Sequence, residues 1–125
     1  MLYNIYLIGI YDNTKRLKSV KIGQTTQSVN KRLSSIKAYA KISNSTYNKG
    51  EHKLLTYITC DGENCGLIVE SGIHYYMQAK HNTIKKYKGA KDYFRLLRNF
   101  NEKTLINWFN DCIMQVIKEN NFTIQ

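Results

Sequence analysis

The chain has 125 residues, a common size for one domain and a short one for two. Its 19 lysine and arginine residues outnumber 9 acidic residues, and the formal net charge is +10, so we expect an anionic partner, nucleic acid before an acidic membrane surface. No apolar run approaches the roughly 20 residues of a membrane-spanning helix, which excludes that class. The first apolar segment lacks signal-peptide flanks, and three cysteines suit a reducing compartment. We expect a single domain over residues 1–125 that stays inside the cell, in the cytoplasm or nucleus, and does not insert into membranes.

The first half of the chain predicts a β-hairpin followed by a helix. Residues 2–10 are rich in β-branched and aromatic side chains, residues 12–18 are polar and contain turn formers, and residues 19–23 are apolar again. A helix then begins after Ser28, a favourable capping residue, and Arg32 lies on the flank of its apolar stripe. That stripe comprises Val29, Leu33, Ile36 and Ala40.

The middle of the chain predicts a third strand and a second helix. A polar loop leads to an apolar, β-branched segment over residues 53–60, which the turn-like residues 61–64 close. The apolar period of residues 67–79 then indicates a helix. Glu70 and His74 lie one turn apart on it and therefore share a face.

The remaining residues predict a basic loop over 82–91, a short strand or turn over 92–97, and a strongly amphipathic helix over 101–119. The order of elements indicates an α+β fold, in which a small, mainly antiparallel, three-stranded sheet is flanked by helices. Its core spans about residues 2–96, and the last helix packs beside it.

The densest positive stretch of the sequence lies near this basic loop. In a protein of charge +10 we expect these side chains to follow a DNA backbone, with the tyrosines between them stacking on bases. A solvated charged surface is the ordinary alternative. The predicted nucleic-acid-binding residues are Lys80, Lys85, Lys86, Lys88, Lys91 and Arg95.

Five short segments, taken in order, resemble the motifs of the GIY-YIG endonuclease domain. They are Asn4–Ile8 (NIYLI), Val20–Thr25 (VKIGQT), the pair Arg32-Leu33, then Glu70, then His74. The resemblance covers residues 2 to about 96. Within the family, the sequence most resembles the phage and viral branch, in which the second motif reads Lys-Ile-Gly. Two positions depart from the family pattern, since Asn4 stands in place of a glycine and Lys21 in place of the second tyrosine of many members.

The resemblance implies hydrolysis of DNA phosphodiester bonds with a single divalent metal ion, Mg²⁺ or Mn²⁺. In such a site Tyr6 acts on the attacking water as a general base, Arg32 steadies the phosphate, and Glu70 binds the metal. Lys21 and His74 would contact phosphate or water. These residue types suit the reaction, because a highly charged transition state needs cationic donors and a hard metal. An ordinary structural role remains open for each residue, and a non-catalytic nucleic-acid-binding module on the same fold is the alternative function.

The literal Gly-Ile-Tyr of residues 9–11 competes with Asn-Ile-Tyr of residues 4–6 as the first motif. If the hairpin turn centres near residue 15, Tyr6 lies level with Gly23, whereas Tyr11 lies near Ser19 at the turn end. Alternation of side chains then places the two tyrosines on opposite faces of the sheet. We therefore predict that Tyr6 belongs to the active motif.

Three weaker hypotheses complete the sequence reading. Cys60 and Cys65 could bind zinc with His52 or His74, although reduced thiols are the more ordinary interpretation. Asp92 is a weak second acidic candidate for the site. We also expect a homodimer or a partner protein to supply targeting.

Overall fold

In the part of the chain that the structure describes, five strands form one antiparallel sheet, and three helices cover its two faces. The computed structural model describes residues 1–43, 45–79, 84–88, 90 and 92–121, leaving aside the side chains of residues 63 and 64. The strands are β1 (Leu2–Tyr11), β2 (Leu17–Thr25), β3 (Glu51–Asp61), β4 (Ile84–Lys86) and β5 (Tyr93–Leu96), and the helices are α1 (Val29–Ile42), α2 (Glu63–Ala79) and α3 (Glu102–Asn120). The predicted α+β class is confirmed.

The sheet is larger than the sequence predicted. Its strand order is β3-β1-β2-β5-β4, so the expected three-stranded sheet is wrong by two strands. Part of the predicted basic loop is strand β4, whose Lys85 pairs with Arg95 of β5. The sequence of β4 has no alternation of apolar and polar residues, and only Ile84 in it is buried. The segment is a strand because its backbone pairs with β5.

The hairpin of β1 and β2 has the predicted register at Tyr6, away from the turn. Tyr6 pairs with Gly23, while Tyr11 pairs with Leu17 rather than Ser19, because the register shifts between Ile10 and Tyr11. In the turn, the Asp12 carboxylate accepts hydrogen bonds from the backbone N–H groups of residues 14 and 16, at 2.9 and 3.0 Å. Such self-bonding explains why a short polar stretch reverses the chain.

One face of the sheet packs against α2 and α3 and contains the larger core. From β1, Ile5 and Leu7 point to this face and are fully buried, and Phe109 of α3 is buried opposite them. The helix α2 begins at residue 63, four residues earlier than predicted, because the turn closes at Gly62 with a positive φ of 92°. Gly72 of α2 lets α3 approach closely, since an added Cβ would collide with a Val116 methyl group.

The opposite face packs against α1 through a smaller apolar cluster. Tyr6 and Ile8 alternate with the core residues of β1 and meet Val29 and Ile36 of α1. The N-terminus of this helix is capped as predicted, since the Ser28 hydroxyl accepts the Lys31 N–H at 3.2 Å. Leu33 and Leu54, both partly buried, complete the cluster.

The cysteines are all unbridged and buried. Cys60 and Cys65 contact each other, and burial followed by this contact raises the pKa of Cys60 to about 12. The ring nitrogens of His52 lie at hydrogen-bond distance from the Gly50 carbonyl and the Tyr93 hydroxyl instead. In the described part of the chain, the one cluster of metal-binding side chains contains no cysteine, so the zinc hypothesis is wrong there.

Candidate functional site

The predicted site residues converge where β2 extends past the end of β5. Strand β5 pairs with residues 19–21 of β2, and the Ile22 N–H then donates to the Asp92 carbonyl at 2.9 Å. Beyond this bond the β2 backbone runs on without β5 beside it. The side chains that meet there come from β1, β2, α1, α2 and the residue before β5; they are Tyr6, Lys21, Arg32, Glu70, His74 and Asp92.

Tyr6 and Arg32 form the first part of the site. The Tyr6 side chain is only 2% exposed, and its hydroxyl is hydrogen-bonded to the Arg32 guanidinium. Its ring lies across Gly23, where an added Cβ would stand 2.7 Å from the Tyr6 Cζ and closer still to the hydroxyl. Glycine in the Lys-Ile-Gly motif therefore makes room for the tyrosine opposite it in the hairpin.

Burial controls the protonation of Tyr6. Loss of solvent raises the pKa of the phenol above 10.0, and the charges of Asp92 and Glu70 act in the same direction. The bond and the positive charge of Arg32 lower the pKa but do not outweigh burial. At neutral pH the Tyr6 hydroxyl is consequently protonated in the free protein.

Lys21 is a buried cation at the centre of the site, with 8% of its surface exposed. Its Nζ atom lies 3.9 Å from the Asp92 Oδ2 atom and 4.4 Å from the centroid of the Tyr93 ring. The carboxylate and the aromatic face both favour the ammonium form, which offsets part of the cost of burying it. Lys21 is thereby held in place beside Asp92.

His74 is fixed by the backbone of β2. Its Nε2 atom lies 2.8 Å from the Ile22 carbonyl oxygen, and its ring packs edge-on against Phe94 at 4.9 Å between centroids. A carbonyl only accepts hydrogen bonds, so Nε2 carries a proton and donates it. Burial lowers the pKa of His74 below 6.5, so the ring is neutral at pH 7. The structure places His74 beside the other predicted site residues, and its hydrogen bond to Ile22 is a structural contact.

Among the described residues, two carboxylates with a histidine beside them form the one group that could hold a metal ion. One ligand atom each from Glu70, His74 and Asp92 lies within 4.8 Å of the others. Since His74 Nε2 is protonated, that nitrogen is not a ligand, and the two carboxylates remain as the oxygen donors that Mg²⁺ prefers. The donor set therefore fits Mg²⁺ or Mn²⁺.

Asp92 contributes more to the site than its sequence position suggested. It adopts a positive φ of 70°, a conformation that Asp tolerates better than most residues. Its carboxylate lies 3.9 Å from both Lys21 Nζ and His74 Nε2. A single acidic residue before an aromatic pair gave only a weak signal for this placement.

The predicted nucleic-acid-binding lysines are divided between the two faces of the sheet edge. Lys85 and Arg95 pair across β4 and β5 on the same face as Lys21, and both are exposed. Lys86 alternates to the other side, where its charge acts on His74, and Lys88 is exposed in the connection that follows. The other two predicted residues, Lys80 and Lys91, lie outside the described residues.

A cavity beside the site is lined by Tyr93 and by two tyrosines that the sequence did not single out, Tyr39 and Tyr47. Its volume is about 360 Å³, and it is lined by Lys21, Arg32, Ser35, Ile36, Tyr39, Tyr47 and Tyr93. Tyr39 follows Arg32 by seven residues, close to two helical turns, so the two share a face of α1. That spacing is the signal that could have identified Tyr39, whereas Tyr47 lies in the loop before β3 and carries no comparable pattern.

Comparison with known proteins adds a family to this geometry. A family model described as the T5orf172 domain matches residues 4–113, which span every side chain of the site. No curated protein and no solved structure matches the chain. Within the described residues, none of the helices has the length and apolar character that crossing a membrane requires. The chain belongs to the T5orf172 domain family, a phage-associated family related to nuclease-like modules.

Proposed function

We propose that this chain is a metal-dependent DNA endonuclease of the GIY-YIG type, which hydrolyses phosphodiester bonds with one Mg²⁺ or Mn²⁺ ion. The observation that carries the proposal is the convergence of a tyrosine–arginine hydrogen bond, a buried lysine and two carboxylates. These groups come from five separate segments of the chain. The general association of the family with nucleases supports the same function.

Arg32 and Lys21 are the groups that would bind the phosphate. Both line one side of the site, and Lys21 is buried, where a cation interacts with an anion more strongly than at the surface. Hydrolysis forms a bond from a water oxygen to phosphorus and breaks the bond to one deoxyribose oxygen, which gains a proton as the attacking water loses one. Negative charge accumulates on the phosphate oxygens as this happens, so fixed cations stabilise the transition state more than the substrate.

Glu70 and Asp92 would hold the metal ion through their carboxylates. When bound, the ion supplies Lewis-acid stabilisation of negative charge on phosphate oxygens. Asp92 also faces Lys21 at 3.9 Å, and it fixes the ammonium group close to the same position. Asp92 would therefore position both the metal ion, together with Glu70, and the Lys21 ammonium group beside the phosphate.

Tyr6 would enter the reaction as a protonated phenol that orients the attacking water. Its raised pKa makes it a poor base in the free protein, and the charge of Arg32 alone does not reverse that. A base role for Tyr6 requires additional positive charge at its oxygen. Its bond to Arg32 nonetheless links the position of the water to that of the phosphate.

The test is cleavage of supercoiled plasmid DNA with Mg²⁺ by the wild type and by Glu70→Ala. We expect the variant to lose cleavage while its DNA affinity, measured in EDTA, stays within a few-fold of the wild type. Asp111→Ala, which removes an exposed carboxylate from α3, is the matched control and should cleave normally. Equal nicking by wild type and Glu70→Ala would show that the activity is a contaminant.

The second candidate is a non-catalytic nucleic-acid-binding module on the same fold. The raised pKa of Tyr6 favours it, because a tyrosine held protonated by burial also suits a purely structural hydrogen bond to Arg32. This alternative predicts DNA binding without Mg²⁺-dependent cleavage. The plasmid assay therefore separates the two functions.

A further inference from the structure

The 360 Å³ cavity beside the site has a chemical character that the proposed hydrolysis does not use. One end is cationic, formed by Lys21 and Arg32, and the rest is dominated by the rings of Tyr39, Tyr47 and Tyr93. Its volume lies within the range of about 300 to 1,000 Å³ that is usual for small-ligand sites. A ligand that suits it carries an anionic group joined to a flat aromatic group.

Two of the three tyrosines form a fixed wall. Tyr93 is only 5% exposed, its hydroxyl lies 3.2 Å from Nε2 of the buried His52, and Lys21 lies over its ring. The Tyr47 ring packs against it at 5.0 Å between centroids and 56° between planes. Because these contacts hold the two rings in place, the wall is preformed and would lose little conformational entropy on binding.

Tyr39 stands at the rim of the same cavity and remains 60% exposed. Burial does not explain a large aromatic side chain at this position, since most of its ring is in solvent. An exposed ring beside a cavity offers a face on which a planar ligand can stack.

We propose that this cavity binds an unpaired nucleobase of the nucleotide next to the scissile phosphate, so that the preferred substrate is DNA with unpaired nucleotides at the cleavage site. The identification of that phosphate rests on the proposed nuclease function. A nucleotide joins an anionic phosphate to a planar base, as the cavity joins Lys21 and Arg32 to a tyrosine wall. A base inside a duplex is paired and stacked, so it cannot enter the cavity without leaving the helix.

The cavity should accept different bases with little preference. The Ser35 hydroxyl already donates to the Lys31 carbonyl at 3.3 Å, and the Tyr93 hydroxyl is bonded to His52. The proton of each hydroxyl is therefore already used, so neither hydroxyl can donate to a base edge. Stacking on tyrosine depends on the ring face that every base has, so binding tolerates any sequence.

The experiment compares DNA affinity in EDTA, where no cleavage occurs, for a single-stranded oligonucleotide and for the blunt-ended duplex that it forms with its complement. Tyr39→Ala should weaken binding of the single strand by about 5- to 150-fold and leave the duplex within about 2-fold, since one base stack is lost. Tyr39→Phe should restore single-strand binding because it keeps the ring. Tyr75→Ala is the matched control, because Tyr75 is 64% exposed on α2 and lies outside the cavity.

A second measurement reports on contact directly in the wild type. Irradiation of a single-stranded oligonucleotide containing 5-iodouracil should crosslink the base to Tyr39 or Tyr47, which mass spectrometry of the digested protein identifies. The proposal is overturned if Tyr39→Ala weakens both DNAs equally, if it behaves like Tyr75→Ala, or if the crosslinks map elsewhere. Because both measurements are made without metal, they stand or fall independently of the cleavage assay.

Discussion

The two faces of the sheet use the same strands for different purposes. Against α2 and α3 the strands bury a continuous apolar core, which includes Phe109 and Leu105 with no exposed surface. Against α1 the apolar cluster is small, and the neighbouring positions hold Lys21 and the tyrosines of the cavity. One face therefore supplies most of the stability, and the other can hold costly polar groups at the site.

Strand β1 shows this difference within five residues. Tyr6 points to the α1 face and bonds to Arg32, whereas Tyr11 points to the α3 face and donates its hydroxyl proton to the Glu102 carboxylate. The same residue type thus has a site role on one face and a structural role on the other. Alternation along the strand, rather than the literal Gly-Ile-Tyr, decides which is which.

The largest effect should come from removing the Tyr6 hydroxyl. Tyr6→Phe keeps the buried ring but loses the bond to Arg32 and the hydroxyl that orients the attacking water, and we expect the Mg²⁺-dependent nicking rate to fall by about 10²-fold. Tyr11→Phe should nick within a few-fold of the wild type and lose about 1 kcal/mol of unfolding free energy. The opposite pattern in the plasmid assay would assign the site to the other face.

The next comparison concerns stability. Phe109→Ala removes a fully buried ring from the larger core and should lower the free energy of unfolding by about 3–5 kcal/mol. Ile36→Ala, in the smaller cluster, should cost about 2 kcal/mol because fewer buried groups surround it. Urea unfolding of both variants gives the two values. A larger loss for Ile36→Ala would mean that α1, not α3, stabilises the sheet.

A smaller effect is expected from the exposed cations beside the site. Lys85→Ala combined with Arg95→Ala should reduce the slope of log affinity against log salt by about 1.8, or 0.9 for each lost phosphate contact. Lys103→Ala combined with Lys118→Ala removes two exposed charges from α3 and serves as the control. Fluorescence anisotropy at several salt concentrations measures both slopes. If the control pair changes the slope equally, DNA binding is not confined to the face with the site.

The smallest effect concerns the support of the tyrosine wall by His52. Burial lowers the pKa of His52 below 6.5, so the unfolded chain takes up this proton at a higher pH than the folded chain. Neutral His52 therefore stabilises the folded state relative to the unfolded state. This contribution is fully present above pH 6.5, and it is lost as the pH falls from that value through the pKa of His52 in the folded protein. We therefore expect His52→Gln to weaken the decline in unfolding free energy between pH 7 and pH 5. An unchanged decline would mean that His52 titrates normally.

Local periodicity predicted much of this architecture. The register of Tyr6 opposite Gly23 and the Ser28 helix cap followed from alternation and capping rules, and the structure has both. Strand β4 could not be predicted from these local rules. Its one apolar residue is followed by two lysines, which is not a strand pattern, and Lys85 of β4 pairs with Arg95, ten residues further along the chain. Short edge strands depend on tertiary pairing that the local sequence does not encode.

The site was predictable where a residue type and its neighbours had a recognisable motif, and less so elsewhere. Glu70 and His74 one turn apart indicated their shared location, and the structure places both near Asp92. Asp92 itself reaches the site through a left-handed backbone conformation and a backbone bond to β2. Tyr47 reaches the cavity through a loop, whose path depends on what it packs against rather than on periodicity.

The modest attachment of α1 has a consequence for slow motion in the protein. This helix carries Arg32 and Tyr39, yet its buried apolar contacts are two residues, Val29 and Ile36. Segments with few buried contacts open locally at a lower free energy than the global unfolding reaction. Backbone amides of α1 should therefore exchange with deuterium before those of α3, and Arg32 and Tyr39 should be released together.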